Sequence, residues 1–64
     1  MNRLRQARLR VDKSQLKLMM DTGIYFTTIS RIERGWVKPT SEQKLKLAKA
    51  LEVDTDWLFP EHQE

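Results

Sequence analysis

Thr27, Ser30, Arg31 and Arg34 follow one another at separations of three and one residues, the spacing that gathers side chains on one side of an α-helix. Together they would offer two hydroxyls and two guanidiniums. That is chemistry for donating hydrogen bonds to something rich in acceptors and negative charge, not for breaking bonds. Bond-breaking chemistry has no better candidate elsewhere. His62 is the only histidine, it lies in a C-terminal tail (60–64) expected to fray, and the chain has no cysteine. No Ser-His-Asp set, pocketed carboxylate pair, phosphate loop or metal-ligand cluster is spelled out, so neither an enzyme nor a cofactor or metal site is expected.

The element that must carry these four residues is contained in "GIYFTTISRIERG", Gly23 to Gly35. Ile29 and Ile32 fall on the side of the same helix opposite Thr27, Ser30, Arg31 and Arg34, so one face belongs to a core and the other to whatever the helix touches. Short side chains such as Thr and Ser let a helix approach a surface closely. The DNA major groove admits an α-helix, and an arginine within it can donate two hydrogen bonds to guanine O6 and N7. Phe26 sits at the boundary between the faces. There it suits either a thymine methyl outside or the start of the preceding helix inside.

The rest of the chain is compatible with such a partner. At 64 residues it is one domain, spanning 1–64, and too small for an elaborate active site. With 39% hydrophobic and 33% charged residues it reads as globular, and without cysteine it depends on helix packing alone. No apolar run approaches the roughly 20 residues that span a bilayer, and the first residues lack the apolar centre of a signal peptide, so no membrane partner and a cytoplasmic location are expected. The net charge of +3 conceals an asymmetry: residues 1–38 hold nine Lys/Arg against three acids, whereas residues 39–64 hold three lysines against six acids. A basic half of this kind suits a polyanion, although a solvated helical surface would carry the same bias.

Five short helices are expected. Leu4, Ala7, Arg8 and Val11 form a helical stripe interrupted by one cation. Ser14 stands where it can cap a second helix from Gln15 to about Met20, which "DTG" ends with Gly23 in the left-handed conformation. The third helix runs to Arg34 and ends at Gly35. Thr40 and Gln43 have the spacing of a capping box for a fourth helix whose buried face would be Leu45, Leu47, Ala48 and Leu51. Asp54 would cap a last turn holding Trp57, Leu58 and Phe59, closed by Pro60. The fold class is all-α, with no strand signal and no repeat.

With these elements in place, "SQLKLMMDTGIYFTTISRIERG" resembles the helix-turn-helix (about residues 15–34) of the Cro/cI-type (XRE) transcriptional regulators. The family pattern is S-Q, a Leu three residues on, G-[IV] at the turn, and I-S-x-[IW]-E-x-G at the end of the recognition helix. The likeness continues into "KLAKALEVDTDWLF" and covers Leu4 to Phe59. It implies a compact five-helix, lambda-repressor-like domain that places its third helix in the major groove of double-stranded DNA. It further implies that Phe26, Thr27, Ser30 and Arg31 face base edges and that Gln15 meets the DNA backbone. Arg34 and Lys38 are read as phosphate contacts at the end of the helix and in the connector. Arg8 and Glu33 match a pair that commonly joins helices one and three; each borders the core and needs an opposite charge.

Several residues depart from the pattern. Met19 stands where a small residue is usual in helix two, Thr22 where an apolar one is usual, and Asp12 and Lys13 replace a common Gly-Leu approach. Tyr25 takes the place of a Ser or Thr cap, as either a lid on the core or a phenol reaching phosphate. Trp36 either covers the edge of the core or donates its indole N–H to phosphate. The function expected is a sequence-specific DNA-binding regulator, a repressor acting as a homodimer on a palindromic operator at the bacterial or phage-type nucleoid. The alternative is a protein-interaction module of the same fold, an antitoxin or adaptor, holding a protein partner on Leu16, Met20, Trp36 and Phe59.

Overall fold

The computed structural model describes residues 2–60. His62 and the tail beyond Pro60 lie outside the described residues. Five helices follow in order: α1 (Leu4–Arg10), α2 (Gln15–Thr22), α3 (Phe26–Glu33), α4 (Ser41–Leu51) and α5 (Thr55–Leu58). α2 packs against both α3 and α4, α5 packs on α4, and α1 meets α3. Their shared interior consists of Leu4, Ala7, Leu18, Ile24, Ile29, Ile32, Leu47, Ala48, Leu51, Leu58 and Phe59. Each helix contributes at least one apolar side chain to that interior, so none is stable by propensity alone.

Helix boundaries follow from side-chain and backbone capping. Ser14 Oγ accepts from Lys17 N at 3.0 Å. Thr40 Oγ1 accepts from Gln43 N at 3.1 Å while Gln43 Oε1 accepts from Thr40 N at 3.0 Å, a complete capping box. α2 continues two residues beyond Met20 before Gly23, at φ +80°, turns the chain with its N–H on Met19 O. Asp21 and Thr22 are therefore helical. Thr22 repays its polar substitution within its own turn: Oγ1 donates to Leu18 O at 2.8 Å and accepts from Ile24 N at 3.1 Å. At the end of α3, Gly35 N donates to Ile32 O and Trp36 N to Arg31 O, a Schellman closure with Gly35 at φ +77°.

The same closure recurs without glycine at the ends of α1 and α4. Asp12 and Glu52 both adopt φ +59°, with Lys13 N on Arg8 O and Val53 N on Ala48 O. The Asp12-Lys13 departure from a Gly-Leu approach is thus an L-residue held in a glycine conformation.

Four expectations are corrected. Leu45 is 63% exposed rather than buried, because Leu47, Ala48 and Leu51 alone turn inward. Val11 is exposed, since α1 ends before it and the left-handed turn carries it outward. Asp54 occupies the N-cap of α5 with extended backbone, but its side chain makes no cap hydrogen bond. Trp57 packs half-buried against the core in the closing turn, flanked by the guanidiniums of Arg3 and Arg10 at 5.0 and 5.6 Å from its ring centre. Arg3 also ties α5 down through its backbone N–H on Leu58 O. Phe59 is fully inside, which removes it from any partner surface.

Candidate nucleic-acid interface

α3 is eight residues long, FTTISRIE, and its two isoleucines are completely buried. Burying them sets the rotation of the helix, and that rotation leaves Thr27 and Arg31 exposed and Ser30 half-exposed on the outer side. Among the described residues, none of these three side chains makes a hydrogen bond or ion pair within the chain. Lys38 is likewise exposed, in the connector between α3 and α4.

Behind α3 the polar groups are all joined. Arg8 Nε donates to Glu33 Oε2 at 2.7 Å, and Arg8 Nη2 reaches Glu33 Oε1 at 3.3 Å. The fork-on-carboxylate arrangement is bidentate, with side chains only 11% and 5% exposed. The remaining Arg8 nitrogen, Nη1, donates to Lys13 O at 3.0 Å. Gln15 Nε2 completes the carboxylate from α2, donating to Glu33 Oε1 at 3.2 Å. This junction therefore joins α1, the turn after it, α2 and α3 at one point. No buried side-chain N or O atom among the described residues lacks a hydrogen-bond partner. Asn2 adds a tie to the far end of α3, its Nδ2 donating to Ile32 O at 2.8 Å.

A second polar cluster lies on the side of α2 that faces α4. Lys13 Nζ contacts Asp21 Oδ2 at 2.8 Å and Ala50 O at 2.9 Å, and Lys17 Nζ contacts Asp21 Oδ1 at 3.2 Å. The Lys13 hydrogen bond, followed by that of Lys17, holds the Asp21 carboxyl below the ordinary aspartate range.

The aromatic residues around α3 are not where a core would put them. Tyr25 is 62% exposed and is no lid; its ring stacks on Phe26 at 5.1 Å between centroids and 25° between planes. Phe26 is 39% exposed and stands outside the core cluster. Trp36 is 67% exposed rather than laid over the core edge, with the Arg34 guanidinium 4.9 Å from its ring centre. Tyr25 is also the N-cap of α3 and makes no side-chain cap bond. Serine or threonine there would be worth about 1 kcal/mol to the helix. Met19, in contrast, lies half-buried against the core, where its flexible side chain fills the space usually left to a small residue.

The sequence model of a family described as helix-turn-helix matches residues 4–58, from the first residue of α1 to the last of α5. The chain belongs to the Cro/cI-type (XRE) helix-turn-helix family. It is similar to the cryptic phage CTXphi transcriptional repressor RstR of Vibrio cholerae serotype O1, with 34% identity over 67 residues. The match takes in 97% of this chain and 60% of the relative, so the chain spans about 60% of that protein's length. In family terms α2 and α3 are the helix-turn-helix, and Arg8 and Gln15 tie α1 and α2 to Glu33 at the end of α3. No helix of the described residues is long and apolar enough to cross a membrane.

Proposed function

We propose that the chain is a sequence-specific, double-stranded-DNA-binding transcriptional regulator, a repressor that lays α3 in the major groove of a palindromic operator and binds as a homodimer. One observation carries this reading: α3 has Ile29 and Ile32 fully buried on its inner side, and its outer hydrogen-bonding groups, on Thr27, Ser30 and Arg31, have no partner among the described residues. An α-helix with side chains is about 10–12 Å across, the width of the groove. Arg31 reads a guanine edge, Thr27 and Ser30 contact neighbouring bases, and Phe26 borders them. Gln15 spends one amide hydrogen on Glu33 and retains the other for a phosphate oxygen. Arg34, braced by Trp36, and Lys38 take further phosphates beyond the end of α3. A homodimer with its two recognition helices about 34 Å apart would read both half-sites on one face of the duplex.

Selection of bound sites from a random duplex library tests the reading directly. A palindrome with half-site centres one helical turn apart supports it. Recovery of no common sequence, together with binding that is indifferent to salt, overturns it. Leu16 and Met20, exposed one turn apart on α2, keep a protein partner as a second reading. Replacing both with Ser leaves duplex binding intact under the first reading and abolishes partner capture under the second.

A further inference from the structure

Tyr25 occupies the N-cap of α3 with φ −59° and ψ 145°, near the extended backbone of φ −75°, ψ 166° and φ −71°, ψ 167° from which Ser14 and Thr40 cap α2 and α4 through their hydroxyls. A hydroxyl residue would fit this position with a small backbone adjustment. Instead the chain carries a phenol ring that caps nothing, buries little, and lies flat on Phe26. Water gains two exposed rings, and α3 loses a cap. Neither helix stability nor the core explains the pair, since neither ring is a member of the interior cluster and both are left exposed, Tyr25 more than Phe26.

The pair projects from the same end of α3 as Thr27, ahead of Ser30 and Arg31. The apolar feature that a major groove displays is the C5-methyl group of thymine; cytosine and uracil lack it. We infer that the Tyr25–Phe26 stack is a reader of a 5-methylpyrimidine, with the Phe26 ring meeting the C5-methyl and Tyr25 acting as the positioning residue that holds Phe26 out of the core. This inference deepens the DNA-binding reading and rests on it. It also makes the interface sensitive to cytosine methylation, because 5-methylcytosine presents the same methyl group as thymine. The phenol oxygen has no part in the contact; the ring face does the positioning.

The test uses the selected site with single thymines of a half-site replaced by deoxyuridine, and single cytosines placed at the same positions with and without the 5-methyl group. At one position per half-site, deoxyuridine binds about fourfold more weakly than thymine, the fold-change equivalent of burying one methyl group, and 5-methylcytosine binds tighter than cytosine by a similar factor. Phe26→Ala and Tyr25→Ala each bring the thymine-to-deoxyuridine ratio to one, whereas Tyr25→Phe retains it. Because the ratio is taken within each variant, a general loss of affinity cancels. Tyr25→Ser separates the role from a structural one: its thermal midpoint rises as the cap is restored, while its ratio falls to one. A wild-type ratio of one at every position of a site that is still bound specifically overturns the inference and leaves the DNA-binding reading standing. Absence of any preferred site sinks that reading instead.

Discussion

The junction behind α3 and the outer face of α3 are assembled from the same kinds of side chain, arginine, glutamine and hydroxyls, and are finished in opposite ways. Arg8 has all three guanidinium nitrogens engaged, two on Glu33 and one on Lys13 O. Arg31, one turn or less from Glu33 along the same helix, has none engaged among the described residues. A polar group that is buried must be satisfied internally or the fold loses stability. One left at the surface keeps water as its partner until a ligand displaces it. The contrast teaches that the two faces answer to different measurements. Damage behind the helix is expected in the unfolding free energy, and damage in front of it in binding.

Glu33→Ala makes the largest difference. It leaves Arg8 buried with only Lys13 O and strips Gln15 of its acceptor, so the domain should lose about 3–5 kcal/mol, much of the stability of so small a chain. Chemical denaturation measures it. Replacing both Arg8 and Glu33 by Met and Leu should restore most of that loss, since an apolar pair of similar volume is often neutral. If the single substitution costs under about 1 kcal/mol, the junction behaves as a surface ion pair and the contrast fails. Arg31→Ala comes next and moves the other observable. It should cost about 1–3 kcal/mol at one base pair of the preferred site while altering unfolding by less than about 0.5 kcal/mol. Equal losses on specific and random duplex would reassign Arg31 from base to phosphate.

How much of this could be read beforehand depends on whether a residue's setting was local. The isoleucines at 29 and 32, the Ser14 and Thr40 caps, and the glycine-ended helices α2 and α3 are settled within a few residues of chain, and the helical period and capping rules sufficed. Leu45 shows where periodicity stops: the stretch LKLAKAL offers Leu45, Leu47, Ala48 and Leu51 as apolar positions, and only packing against α2 and α5 decides that Leu45 turns outward. The Gln15 bond to Glu33 spans 18 residues, and the Arg3 bracket on Trp57 spans 54, so neither leaves a local trace. The left-handed ends at Asp12 and Glu52 were hidden for another reason. Glycine is the usual signal for that conformation, and here acidic residues are forced into it by the closing hydrogen bonds on either side.

Those acidic turns supply a control for the contrast, because Glu52 is distant from both faces of α3 along the chain. Glu52→Gly relieves an L-residue at φ +59° and should stabilise the domain by about 0.5–1 kcal/mol after the added unfolded-state freedom of glycine is subtracted. Duplex affinity and the selected sequence should not change. A shift in site preference would show that α4 and its C-terminal turn transmit to α3, and that front and back are not separable.

The smallest effect is expected at Asp21, where the ion pairs are partly open to water, with a quarter of each of the Lys13 and Asp21 side chains exposed. Its carboxyl is held below the ordinary range first by Lys13 and then by Lys17. A depressed folded value means that the unfolded chain takes up the proton more readily, so this contribution is complete above the ordinary aspartate value of about 3.9 and is lost as the pH falls through the folded value. Asp21→Asn should therefore narrow the stability gap between neutral and strongly acid solution while leaving the slope above about pH 5 untouched. Salt should shrink the wild-type contribution, as it does for solvated pairs, but should scarcely affect the enclosed Arg8–Glu33 pair. Titrating the Asp21 carboxyl by NMR checks the direction: a midpoint at or above 3.9 would mean that Lys13 is held by Ala50 O alone, and that the groove between α2 and α4 is closed by a backbone acceptor, not by charge.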